Sequence, residues 1–133
     1  MDQFAGFPAD AAAYDVALQA YQEILTRHPD APIAPQARFG IADMHQAWGR
    51  HSGEHAFDEQ GNRVPAPHFE EALDTYRAFL QQYPGHPLYA DVLRRIGRLQ
   101  QDVFFDLGAA EATLQEVVSR YPDTDAAEQA AFD

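Results

Sequence analysis

The feature of this sequence that most constrains its fold is an apolar segment that occurs three times and is closed each time by a proline. The copies end at Pro29, Pro84 and Pro122. Shifts of 55 and then 38 residues carry Tyr14, Ala17, Leu18, Tyr21, Ile24, Leu25 and His28 onto Phe69, Ala72, Leu73, Tyr76, Phe79, Leu80 and Tyr83, and then onto Leu107, Ala110, Glu111, Leu114, Val117, Val118 and Tyr121. A repeat of this kind predicts similar structural units packed side by side.

Within each copy, the apolar residues fall at offsets 0, 3, 4, 7, 10, 11 and 14, which is the spacing of one face of an α-helix. In the third copy, Glu111 is the exception. Each copy therefore predicts a helix with one face buried against other protein. The closing proline ends the helix, because it lacks an N–H and disfavours helical geometry in the residue before it.

Two more helices are predicted between the copies, and each begins near a proline. They contain Gly40 and Gly97, and a helical glycine costs about 1 kcal/mol relative to alanine. Close approach by a neighbouring helix would explain both glycines. We expect a single all-α domain over residues 1–133. Its predicted helices span about residues 9–28, 33–48, 68–83, 87–105, 108–121 and 125–132, with an insertion at 49–67.

The insertion accounts for the difference between the two shifts, and its glycines and prolines exclude a long regular helix. A turn at residues 60–62 with short extended arms at 56–58 and 63–64 predicts a small hairpin. Two interpretations are open. The segment is either a tolerated surface insertion that packs Phe57 and Val64 onto the helices, or a functional loop.

Composition excludes several function classes. The chain carries nine Arg, no Lys and 21 acidic residues, which gives a net charge of −12. Nucleic acids and anionic membranes bind basic surfaces, so we expect neither partner. The absence of Cys removes disulfides and thiol chemistry. No apolar stretch is long enough to span a bilayer, so we expect no direct membrane insertion.

The insertion also gathers histidines and carboxylates, with His51, His55 and Asp58 as candidate metal ligands. The order HSGEH differs from the HExxH motif of zinc proteases, and no third ligand has a recognisable spacing. A solvated polar loop is the preferred interpretation, and a metal-binding sensor or enzyme is the alternative. No nucleophile motif or phosphate-binding loop is present, so the sequence predicts neither an enzyme nor a cofactor.

At this point the residues resemble the tetratricopeptide repeat family. Its second-helix pattern of Ala, an aromatic residue and Pro is matched by Ala72, Tyr76 and Pro84, and its first-helix Leu-Gly pair is similar to Phe39-Gly40 and Ile96-Gly97. The longer period and the phrase RYPDTDAAEQAAF resemble repeats of bacterial envelope proteins, such as the Tol-Pal-associated coordinator and the outer-membrane assembly lipoprotein. The resemblance implies a right-handed superhelical array of antiparallel helix pairs, and the periplasm or, alternatively, the cytoplasm.

The resemblance further implies a non-catalytic protein-interaction module whose first helices line a concave groove for a peptide or a partner helix. The residues placed there are Ile41, Met44, His45, Trp48, Arg94, Arg98 and Gln101. The arginines would hold acidic groups of the ligand. Alternatively, they form ordinary ion pairs with Asp91 and Asp102. Trp48 is either a ligand anchor or packs on Phe57.

The last segment, residues 125–132, reads as an interrupted repeat. It suggests a fragment of a longer repeat protein, or a homo-oligomer that assembles through its uncapped ends.

Overall fold

The computed structural model describes residues 6–132, and side chains from 12 to 131. These residues form six α-helices, and the all-α prediction is confirmed. The helices are α1 (Gly6–Arg27), α2 (Ala34–His51), α3 (Pro67–Gln82), α4 (Tyr89–Asp102), α5 (Leu107–Arg120) and α6 (Asp125–Phe132). No helix within residues 6–132 is long and apolar enough to cross a membrane.

Each helix packs on the next one along the chain, and α4 also contacts α6, so the helices form a solenoid-like array. One apolar cluster joins α2, α3 and α4 and includes the buried insertion residues Ala56 and Ala66. A second cluster joins α4, α5 and α6. Leu80 of α3 packs against both clusters, so the core is continuous between them.

The repeated stripe forms the core where a helix has neighbours on both sides. In α3, Phe69, Ala72, Tyr76 and Phe79 are all buried. In α5, the buried stripe residues are Ala110, Leu114 and Val117, whereas Glu111 is exposed. In α1, which packs on α2, Leu18 is buried, while Tyr14, Ala17, Tyr21 and Ile24 are half-buried.

The two helical glycines mark close helix contacts, as the sequence predicted. A Cβ added to Gly40 would lie 2.5 Å from Cζ of Tyr21 in α1. A Cβ added to Gly97 would lie 2.8 Å from Cδ2 of Leu114 in α5. Both separations are too short for two carbon atoms, so the Tyr21 ring or the Leu114 side chain would have to move if the glycine facing it carried a Cβ.

The hairpin prediction for the insertion is confirmed, but the insertion begins later than predicted. Phe57 and Arg63 form an antiparallel bridge, and the Asp58 N–H donates to the Asn62 carbonyl at 2.9 Å. Helix α2 continues to His51 because Gly49 is a packing residue and not a loop residue. A Cβ there would lie 3.1 Å from the Phe69 ring, so the glycine lets α2 run close to α3.

The predicted continuation of α4 to residue 105 is wrong. Helix α4 ends at Asp102, and Phe105 has a φ of 51°, a left-handed conformation that does not continue a helix. Asp106 then begins the next helix: its Oδ1 accepts a hydrogen bond from the Ala109 N–H at 3.2 Å. A side-chain cap of α5 therefore replaces the last turn predicted for α4.

Candidate functional site

A groove runs between α2 and α4, and the insertion borders one end of it. One cavity of about 300 Å³ is lined by Asp43, Met44, Gln46, Ala47, Arg50 and Arg95. A second cavity of about 620 Å³ is lined by Arg50 again, by Phe57 and other residues of the insertion, and by Arg98, Asp102 and Phe105. Because Arg50 lines both cavities, we treat them as one surface, the α2–α4 groove.

Three arginines line this groove, together with the carboxylates of Asp43, Glu54, Asp58 and Asp102. Arg95 lies 3.3 Å from the Asp43 carboxylate and stacks 4.8 Å above the Phe39 ring. Arg98 donates to Oδ2 of Asp102 at 2.8 Å. Arg50 is exposed and has no ion pair among the described residues. Its guanidinium group is therefore available to an acidic ligand.

Hydrogen bonds and ion pairs centred on Asp43 hold the floor of the groove together. Its carboxylate accepts a hydrogen bond from the Tyr76 hydroxyl of α3 and forms an ion pair with Arg95 of α4. Burial raises the pKa of Tyr76, and the neighbouring charge of Asp43 raises it further. The hydroxyl thus stays protonated and continues to donate, which links α2, α3 and α4 at one point.

The insertion end of the groove is aromatic. Phe105 is 63% exposed, and its ring lies 5.9 Å from the ring of Phe57. The guanidinium of Arg63 lies over Phe57 and Phe104, at 5.6 and 5.1 Å from the two ring centroids. An exposed aromatic ring beside guanidinium groups suits a ligand that carries both apolar and acidic groups.

The structure brings only part of the predicted groove together. Met44 and Arg98 line the α2–α4 groove. Ile41 is 9% exposed and offers little surface. His45 lies on His68 of α3, and Trp48 stacks between Tyr14 of α1 and His68, so neither is set in the groove.

One of the two alternatives for Trp48 was packing on Phe57. This pair is not among the ring contacts of the described residues, and Phe57 packs on Phe105. Two further predicted residues of α4 also lie elsewhere. Gln101 lines a separate cavity of about 460 Å³ between α4, α5 and α6. Arg94 is half-buried and lines none of the cavities described above. Of the three α4 residues predicted to line the groove, the structure places Arg98 there.

The candidate metal ligands do not assemble. His51 lies in the last turn of α2 beside the Tyr14 ring, whereas His55 is exposed in the insertion. The Asp58 carboxylate accepts hydrogen bonds from the backbone N–H groups of Gln60 and Asn62, and so it stabilises the hairpin turn. Within the described part of the chain, no group of three or more His, Asp or Glu side chains is placed to hold a metal ion.

Sequence reasoning missed Asp43, Arg50, Arg95 and the exposed ring of Phe105. A usable signal was present. Residues 43, 47 and 50 share one face of α2, and residues 95, 98 and 102 share one face of α4. Opposite charges at 43 and 95 indicate that these two faces meet.

Comparison with known proteins supports the repeat architecture. Residues 91–124 match the tetratricopeptide repeat family model. The matched repeat contains nearly all of α4 and the whole of α5, which together make up one helix pair. Repeats of this family generally mediate protein–protein interactions. The comparison with curated proteins finds no match.

Proposed function

We propose that this protein is a non-catalytic interaction module that binds a peptide or a partner helix in the α2–α4 groove. The observation that carries the proposal is the position of Arg50, an exposed cation at the junction of two cavities that forms no ion pair with the side chains of residues 12–131. The tetratricopeptide match over residues 91–124 supports a protein partner. A preformed groove lowers the ordering cost of binding.

The groove favours a ligand with acidic groups next to an apolar side chain. Arg50 and Arg98 would each hold a carboxylate, and Arg98 would exchange its exposed ion pair with Asp102 for the ligand. An exposed ion pair contributes only about 0–1 kcal/mol, so this exchange costs little. Phe105 and Phe57 would receive the apolar side chain.

The test replaces both groove arginines, as Arg50→Ala with Arg98→Ala. Arg27→Ala with Arg120→Ala is the matched control, because those arginines pair with glutamates on α1 and α5, outside the groove. Immobilised protein would capture partners from a lysate, and calorimetry would measure the affinity of each identified partner. We expect the groove variant to bind at least about tenfold more weakly, since hot-spot arginines contribute more than about 1 kcal/mol.

Circular dichroism should show unchanged helicity in both double variants. Equal affinity for the wild-type and groove variants would contradict the groove as the binding surface.

Self-association through a second copy is an alternative proposal. Leu107 is 63% exposed and Val118 is 36% exposed, and both line the cavity between α4, α5 and α6. Apolar side chains around an open cavity favour association. Light scattering over a range of concentrations tests this alternative, and a constant monomer mass would contradict it.

The compartment is part of the proposal. We propose that the protein belongs to a bacterial envelope complex in the periplasm, with the cytoplasm as the alternative. The basis is the resemblance of its longer repeat period and of the segment RYPDTDAAEQAAF to repeats of bacterial envelope proteins. Fractionation of cells that express the native gene with a tag would locate the protein, and recovery in the cytoplasm would contradict a periplasmic role.

A further inference from the structure

Two histidines from different helices face each other outside the groove. The Nδ1 atoms of His45 in α2 and His68 in α3 lie 3.2 Å apart, and the ring planes differ by 25°. At this distance one Nδ1 carries a hydrogen and donates, while the other presents its lone pair. The contact therefore exists only while at least one Nδ1 is unprotonated.

Stacked rings extend this contact to α1. The His68 ring lies 4.2 Å from the Trp48 ring at an interplanar angle of 18°, and Trp48 stacks on Tyr14 at 5.8 Å. Trp48 is the single tryptophan of the chain. Its fluorescence consequently reports on the environment of His68.

The insertion is anchored at the same turn. Oε1 of Glu54 accepts hydrogen bonds from the backbone N–H groups of His68 at 3.0 Å and Phe69 at 3.3 Å. The first turn of α3 is thus tied to α2 by the His68 side chain and to the insertion by the His68 backbone. A change at the imidazole pair would reach both attachments.

The charges that surround the pair act in opposite directions. Burial lowers the pKa of His45, Glu71 of α3 raises it, His68 lowers it, and Glu54 of the insertion raises it. From α1, Tyr14 stacks on Trp48 and contacts His51 of α2 edge-on.

We propose that the His45–His68 pair is a proton-responsive contact that tolerates one added proton and opens when the second is bound. The first proton goes to the free Nε2 of the donor ring, and the Nδ1–H bond to the partner persists with a positive charge on the donor. The second proton occupies the acceptor Nδ1, so two N–H groups and two positive charges then face each other. Coupled groups of this kind take up protons in two separate steps.

The test is a titration of the wild-type chain from about pH 8 to about pH 4.5, across the range in which imidazoles titrate. Long-range ¹H–¹⁵N spectra follow the ring nitrogens, while Trp48 fluorescence and hydrogen exchange of residues 52–66 follow the structure. We expect two separate protonation steps at the pair. A change in Trp48 emission and faster exchange in the insertion should accompany the second step.

His45→Gln should abolish the separation of the steps and the fluorescence change that accompanies the second. His28→Gln is the matched control, since His28 is exposed at the end of α1, and it should titrate like wild type. A single step shared by both imidazoles in the wild-type chain would overturn the proposal, and so would an unchanged fluorescence curve in His45→Gln. The wild-type spectra need no variant, so the test stands even if a substitution impairs folding.

Discussion

The helix pairs α2–α3 and α4–α5 bury the same apolar stripe but are held together differently. Residues 103–106 join α4 to α5, and Gly97 lets Leu114 pack directly on the α4 backbone. The much longer segment 52–66 joins α2 to α3. Contacts between these two helices include the Tyr76–Asp43 hydrogen bond and the His45–His68 pair.

This difference shows how a repeat accommodates an insertion. A longer connection adds little entropic cost, because the closure term grows slowly with loop length. Two polar contacts help to fix how α2 sits on α3. The α4–α5 pair combines a short turn with one side-chain hydrogen bond, between the Thr113 hydroxyl and Oε1 of Gln100 at 2.8 Å. We therefore expect a change in pH to affect α2–α3 more than α4–α5, and the packing of α4–α5 to be sensitive to side-chain volume at Gly97.

The largest effect is expected from Phe79→Ala in the cluster of α2, α3 and α4. Phe79 is fully buried, and such a truncation costs about 3–5 kcal/mol. Val117→Ala in the second cluster is the comparison and should cost less, because it removes fewer atoms. Urea unfolding followed by Trp48 fluorescence and by circular dichroism would measure both variants. Since Leu80 joins the clusters, the two probes should give one transition, and separate midpoints would show that the pairs unfold independently.

Tyr76→Phe tests the polar contact of the α2–α3 pair. The variant removes the hydroxyl that donates to Asp43, and a hydrogen bond to a charged group contributes about 1.5–3 kcal/mol. The free energy of unfolding should fall by that amount while helicity is retained. Tyr121→Phe is the control, because the Tyr121 hydroxyl forms no hydrogen bond within the part of the chain that the structure describes. A loss in Tyr76→Phe no larger than in the control would show that the Tyr76 hydroxyl does not help to hold α2 on α3.

Gly97→Ala tests close packing in the α4–α5 pair. The new Cβ would clash with Leu114, at a cost of about 1–3 kcal/mol, and alanine returns about 1 kcal/mol of helix propensity. We expect a net loss of about 1 kcal/mol in thermal or urea unfolding. In a Leu114→Ala background the same substitution should be neutral or stabilising. An equal penalty in both backgrounds would show that Leu114 is not the obstacle.

The smallest effect is expected from pH. Burial lowers the pKa of His45 below its ordinary value of 6.5, so the unfolded chain binds this proton more readily than the folded one. The contribution of neutral His45 to the free energy of unfolding is complete above about pH 6.5, and it is lost as the pH falls below that value. Urea unfolding of wild type and His45→Gln at several pH values would show a difference that shrinks on acidification. A constant difference would contradict the assignment.

Most of the fold could be predicted from the sequence, because the apolar face of the helix repeats together with the proline that ends it. Burial of Phe69, Ala72, Tyr76 and Phe79 requires two flanking helices, and the period alone implies those neighbours. Helix ends were less predictable. Gly49 looks like a loop residue until Phe69 lies against it, and the left-handed backbone of Phe105 has no signal in residue type.

The groove was harder to predict than the core, because a turn of roughly 100° about a helix axis decides which residues face outward. The family resemblance placed His45 and Trp48 in the groove, but Tyr14 and His68 contact these rings instead. Met44 and Arg98 line the α2–α4 groove, and their contact with a partner stays a prediction. The position of Arg50 in the groove depends on the path of the insertion, and the repeat pattern does not predict that path.

The hairpin gives the chain a practical entry point for engineering. Its tip, residues 59–62, is exposed and follows the bridge between Phe57 and Arg63, so its ends are already held close together. A short epitope tag placed there would leave the three proline-ended helices untouched. The segment that interrupts the repeat is thus also a place where foreign sequence can be added without interrupting a helix.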